Sequence, residues 1–127
     1  MTVAIGTDIL EIERLESALS RLGEKFITRI LTPAERLRFD AIVDDRSQLN
    51  FLAKRWCAKE AIAKALGTGI AKGVGWQQIE VLNQESGAPT VLLTGAALQT
   101  LNNLGASKAL ISLSDERHYC VAFCTLV

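Results

Sequence analysis

The sequence predicts an α+β protein, a mainly antiparallel sheet packed against one long helix. Three observations lead there. In the first half of the chain apolar residues recur at helical spacing. In the second half short β-branched and apolar runs alternate with turn-forming clusters. Between them lies a long stretch in which Leu49, Leu52, Ala53, Trp56, Glu60, Ala63 and Gly67 follow one another at helical spacings.

Residues Thr2 to Thr7 read as the opening strand, which puts Asp8 at a strand-to-helix junction. There it is either a helix cap or an acidic ligand at the end of a strand. Ile12, Leu15, Leu19, Leu22 and Phe26 then form an amphipathic helix pattern, with Gly23 as a candidate break. Arg14, Arg21 and Lys25 gather on its polar side and suit an acidic partner helix. Thr32-Pro33-Ala34-Glu35 is a capping box with proline at the first helical position, and that helix is expected to end near Ile42. The polar turn Asp44–Ser47 caps the long helix, placed near Gln48 to Leu66, and Gly67 stops it. Strands are expected at Trp76–Leu82, Thr90–Thr94, Lys108–Ser114 and Tyr119–Val127, with a short helix from Ala96 to Asn103.

Composition narrows the classes. A chain of 127 residues with 49% apolar content is expected to form one domain, residues 1–127, with a real core. A formal net charge of zero argues against wholesale binding to nucleic acid or acidic membranes. No run is long and apolar enough to span a bilayer, and Met1-Thr2-Val3-Ala4 lacks the basic segment of a signal peptide. Cys57, Cys120 and Cys124 are an odd set without C-x-x-C spacing, as expected for reduced thiols in a cytoplasmic protein. The glycines from Gly67 to Gly75 follow a helix instead of preceding one, and Lys72-Gly73-Val74 has the wrong order for a Walker A loop, which excludes a nucleotide triphosphatase of that type.

Glu60 is the unusual residue of the long helix. It points only about 40° away from Trp56, and a carboxylate on an apolar stripe is costly unless a cation meets it. Lys64 lies one turn further on and could supply an ordinary ion pair worth roughly 0.2–0.5 kcal/mol. Arg55 is rotated about 140° from Glu60 and cannot share a ligand with it at close range.

Three stretches together resemble the holo-[acyl-carrier-protein] synthases, the small 4′-phosphopantetheinyl transferases. They are Ile5-Gly6-Thr7-Asp8-Ile9 through Arg14, then Arg55-Trp56-Cys57-Ala58-Lys59-Glu60-Ala61 through Lys64 and on to Gly67-Thr68-Gly69-Ile70, and more weakly Asn83, Gly87 and Pro89. The resemblance implies a 4′-phosphopantetheinyl-transferase-like fold and transfer of 4′-phosphopantetheine from coenzyme A to a serine of apo acyl carrier protein. Asp8 and Glu60 are then expected to hold Mg²⁺, with Lys64 beside them as a third catalytic residue. Arg55, Lys64, Gly67, Gly87 and Pro89 are expected around coenzyme A. Arg14, Arg21 and Lys25 would meet the carrier protein, and the subunits would form a homotrimer with sites at their interfaces. The residue types suit this chemistry, because Mg²⁺ takes one or two carboxylates together with water and phosphate oxygens. Glu60 or a metal-bound water could accept the serine proton, and the sequence does not choose between them.

Many members of that family carry a His after the Ser that ends the fourth strand. Here the pair is Ser114-Asp115, and the single His, His118, follows three residues later. His118 is expected to be structural. Two readings from other classes compete with the transferase. A non-catalytic docking module explains Arg14, Arg21 and Lys25 but leaves Glu60 without a reason. A thiol enzyme would need one of the cysteines to be accessible, whereas their positions suggest burial.

Overall fold

The computed structural model describes residues Met1–Val127. Strand β1 (Ala4–Glu11) runs directly into helix α1 (Ile12–Leu22), followed by α2 (Glu24–Ile30), α3 (Pro33–Asp40) and the long α4 (Asp45–Leu66). A 3-10 turn (Trp76–Gln78) leads into β2 (Ile79–Asn83) and β3 (Pro89–Leu93). Helix α5 (Gly95–Asn103) and the hairpin β4 (Ala109–Asp115) and β5 (Tyr119–Leu126) complete the chain. The strands make two antiparallel sheets, β1-β5-β4 and β2-β3.

Helix α4 is the axis of the core. Asp44 caps it by accepting from the Ser47 N–H at 2.8 Å, so it starts three residues before the expected Gln48. Gly67 ends it in the left-handed region at φ 82°, where a side chain would be strained. The spacing pattern suggested one apolar stripe, but α4 is buried on most of its circumference. Leu52, Ala53, Cys57, Ala58, Ala61, Ile62 and Ala63 are all fully inside. A helix with neighbours on several sides needs small residues for close approach, which accounts for its alanines. Each fully buried Leu or Ile contributes about 1.5–3 kcal/mol.

Strand β5 lies between β1 and β4 and alternates strictly. Cys120, Ala122, Cys124 and Leu126 face the core, while Tyr119, Val121 and Phe123 face outward. Strand β1 obeys the same parity, with Gly6 buried and Ile5, Thr7 and Ile9 exposed.

Several expectations are corrected. Strand β1 does not stop at Thr7. It pairs with β5 as far as Glu11↔Tyr119, so Asp8 sits in mid-strand opposite Ala122 and caps nothing. The ladder bonds from β5 override the local capping preference of Asp. Gly23, at φ 62°, separates α1 from α2 and puts Lys25 on a different helix from Arg14 and Arg21. The capping box at Thr32 and Glu35 is present, and its helix ends at Asp40, short of Ile42. Trp76–Gln78 forms a helical turn and not the start of β2.

Candidate active site

Asp8 meets α4 because of Gly6. The two residues share the inward face of β1. A Cβ on Gly6 would collide with the Ala61 carbonyl oxygen and lie 2.6 Å from the Ala65 nitrogen. Only glycine lets the strand backbone settle against the helix backbone. Ala61 and Ala65 directly follow Glu60 and Lys64, so this contact delivers Asp8 to the last two turns of α4. Cys57 supports it one turn earlier, donating its thiol to the Asp8 carbonyl at 3.3 Å.

Lys64 Nζ donates to Asp8 Oδ1 at 3.0 Å and to the Thr7 carbonyl at 3.1 Å. The local ion pair with Glu60, suggested by their spacing, is replaced by this link between strand and helix. Glu60 has no ion pair of its own. Burial and the neighbouring Asp8 carboxylate push its pKa above the usual carboxylate range, and Lys64 opposes them.

Asp8 and Glu60 line one cleft of about 640 Å³ together with Ile9, Arg14, Arg21, Phe26 and Trp56. The Trp56 ring packs against Phe26 at 5.7 Å and against Trp76 at 4.5 Å between centroids. Phe26 and Trp56 line the cleft together with the half-buried Glu60. Arg14 and Arg21 form a basic rim, and Lys25 does not join them. The carboxylate pair offers only oxygen donors, and no third His, Cys, Asp or Glu completes a metal cluster. Two such carboxylates suit a hard divalent cation whose remaining ligands are water and phosphate oxygens.

Arg55 lies on another side of α4, as its rotation from Glu60 requires. It is buried and donates from Nη2 to Asn83 Oδ1 at 2.8 Å. Its guanidinium stacks 4.4 Å from the Phe51 ring centroid. Asn83 is itself held by donating to the Gly87 carbonyl at 2.9 Å. Arg55, Asn83, Gly87 and Pro89 thus line a second cavity, of about 540 Å³, with Lys54 and Asp115. The Arg55 Nε–H is buried without a partner. Burial lowers the guanidinium from its usual pKa, but nothing nearby neutralises it by direct contact. Gly67 lines neither cavity; its observed role is to terminate α4. His118 Nδ1 lies 3.5 Å from Glu13 Oε1, and the His118 carbonyl accepts from the Ile12 N–H.

Sequence reasoning passed over Lys59 and underrated Glu35. Both side chains are wholly buried and pair at 2.7 Å. A signal was available, since Lys59 adjoins the residues of the most buried part of α4 and Glu35 already served a cap. The thiols are confirmed as interior groups, and burial pushes the Cys124 thiol up to about 12. None of them lines the Asp8–Glu60 cleft.

The profile of the 4′-phosphopantetheinyl transferase superfamily matches residues 4–124. A holo-[acyl-carrier-protein] synthase of Shewanella amazonensis is 49% identical over 120 residues, 94% of each chain. The crystal structure of the Neisseria meningitidis holo-[acyl-carrier-protein] synthase superposes with a TM-score of 0.89 at 38% identity, covering 100% of this chain and 99% of that one. The Bacillus anthracis synthase, solved in complex with coenzyme A (3′,5′-ADP), gives 0.82 at 36% identity and covers 99% and 96%. This chain belongs to the holo-[acyl-carrier-protein] synthase family of the 4′-phosphopantetheinyl transferase superfamily.

Proposed function

We infer that this chain transfers 4′-phosphopantetheine from coenzyme A to a serine of apo acyl carrier protein, releasing adenosine 3′,5′-bisphosphate, in fatty acid biosynthesis in the cytoplasm. The observation that carries the site reading is the convergence of Asp8, Glu60 and Lys64 beside a basic rim. Asp8 and Glu60 would hold Mg²⁺, which supplies charge neutralisation at the pyrophosphate. The serine oxygen forms a bond to the phosphorus bearing pantetheine as the pyrophosphate P–O bond breaks. Lys64, paired with Asp8, would stabilise the charge that grows on the departing phosphate. Glu60 or a metal-bound water would take the serine proton. The buried Arg55, with a partnerless Nε–H and an Asn83 clamp, is suited to a phosphate of coenzyme A, and Gly87 and Pro89 form the adjoining wall.

Incubation with coenzyme A, Mg²⁺ and apo carrier protein is expected to add the mass of phosphopantetheine to the carrier. Tight binding without added mass would instead establish a docking module.

Arg14 and Arg21 are assigned to the acidic carrier protein, with Lys25 in a lesser role on its separate helix. The double variant Arg14→Glu/Arg21→Glu is expected to raise the KM for carrier protein at least about tenfold and to weaken its salt dependence. The KM for coenzyme A should stay within about twofold. Equal changes in both would remove this assignment.

The homotrimer proposal is supported by the outward face of sheet β1-β5-β4. Ile5 is 63% exposed, Ile9 66%, Phe123 45% and Leu110 46%; all four lie on one face of the sheet, with Ile9 opposite Val121 and Phe123 diagonal to both Ile5 and Ile9. Contiguous apolar surface of this kind marks an interaction site. The cleft of Asp8 and the cavity of Arg55 share no lining residue, which agrees with a site assembled from two subunits. Phe123→Asp is expected to yield monomers by sedimentation with transfer largely lost. A monomeric wild-type protein at assay concentration would refute the trimer.

A further inference from the structure

Lys59 and Glu35 form the most completely buried polar assembly in the molecule, with side chains at 0% exposure. All three ammonium donors of Lys59 are used, by Glu35 Oε1 at 2.7 Å, the Ile30 carbonyl at 2.7 Å and the Trp76 carbonyl at 3.1 Å. Glu35 is equally occupied. Its Oε1 also accepts from the Thr32 N–H at 2.8 Å, and its Oε2 accepts from the Val81 N–H at 2.7 Å. One ion pair therefore ties α2, the cap of α3, α4, the 3-10 turn and β2 together.

A buried ion pair is weak evidence for stability, because apolar residues of similar size often replace one without loss. What this pair holds is more informative. Ile30 ends α2, the helix that carries Phe26, and Trp76 opens the 3-10 turn. These two segments supply both rings packed against Trp56. Trp56 in turn lines the cleft beside Glu60, on the helix from which Lys59 reaches inward. The ammonium thus sets two backbone segments from within α4, and their rings set the wall facing Glu60.

We propose that Lys59, neutralised by Glu35, is a positioning residue for phosphopantetheine transfer: it fixes the Phe26 and Trp76 rings that hold Trp56 against the Glu60 side of the cleft. The proposal rests on Asp8 and Glu60 being the transfer site. It adds a role for two residues that touch neither substrate nor metal.

The test is the double variant Lys59→Met/Glu35→Leu, which removes both charges together and leaves neither unpaired. Its melting temperature is expected to fall, because the buried Thr32 and Val81 N–H groups lose their acceptor and the Ile30 carbonyl its donor, so both readouts are taken well below the transition. Trp56 and Trp76 are the only tryptophans, so their close packing is read directly as an exciton couplet in circular dichroism. That couplet should shrink, and kcat should fall about tenfold while the KM for coenzyme A changes less than about twofold. A folded double variant with the parental couplet and kcat would overturn the proposal, as would a lost couplet with unchanged kcat. Trp76→Leu is the companion variant, since it leaves both charges and the backbone carbonyl in place. It should reproduce the fall in kcat at unchanged KM, and parental kcat would again overturn the proposal. The couplet is read without substrate, and Glu60→Gln tests the site itself, so failure of the site assignment and failure of the positioning role give different results.

Discussion

Asp8→Asn and Glu60→Gln are each expected to reduce phosphopantetheine transfer by at least about 100-fold, the upper end of what even outer-shell changes around a metal cost. Both keep shape and remove charge, so the fold should persist. Glu60→Gln has a second, opposite consequence for stability. In the folded protein burial and Asp8 raise the Glu60 pKa above its unfolded value. The folded state therefore holds that proton more tightly, which contributes stability at acid pH. The contribution is lost as pH rises from the ordinary carboxylate value through the raised one, because the unfolded chain releases the proton first. With a chelator present, Glu60→Gln should thus leave stability unchanged at acid pH and raise it at neutral pH. Added Mg²⁺ should stabilise the parent and have little effect on the variant, as expected when a ligand binds only the folded state. Denaturant titrations at two pH values, with and without Mg²⁺, check all of this. A parent indifferent to Mg²⁺, or a variant with full transfer activity, would sink the assignment of Asp8 and Glu60.

Gly6→Ala is expected to cost at least about 3 kcal/mol, beyond the usual range for overpacking. Its added carbon would meet backbone atoms of Ala61 and Ala65, which cannot rotate away as a side chain can. The strand would have to lift from α4, and with it Asp8 would leave Glu60 and Lys64. Any folded remainder should show weakened Mg²⁺ binding as well as a lower melting temperature. The contrast with Gly87 is informative. Gly87 has φ 90° and open space around it, so Gly87→Ala strains only a turn. A Gly6→Ala variant as stable as Gly87→Ala would refute the close-packing argument.

Where local chemistry was decisive, the sequence was legible. The capping box at Thr32, the Asp44 cap, the Gly67 stop and the presence of β5 were all readable, because each depends on residues a few positions apart. The ends of β1 and β2 were not. Asp8 looked like a cap since nothing local reveals that β5 continues the ladder to Glu11. Trp76 looked like strand from its apolar run with Ile79 and Val81, but its carbonyl closes a 3-10 turn with the Ile79 N–H and also accepts from Lys59, 17 positions earlier.

The candidate site divides along the same line. Spacing alone identified Glu60 as a carboxylate out of place on an apolar stripe and set Arg55 on another side of the helix, since a regular helix turns by a fixed angle per residue. Residue chemistry alone marked Asp8, Lys64 and the basic residues as candidates. Three matters needed the fold: that Lys64 pairs with Asp8 instead of Glu60, that Lys25 is parted from Arg14 and Arg21, and that Lys59 and Glu35 meet in the core. Each is a contact, or a lost neighbour relation, between elements whose approach is set by packing. For Asp8 and Lys64 that approach is as close as it is because position 6 carries no side chain.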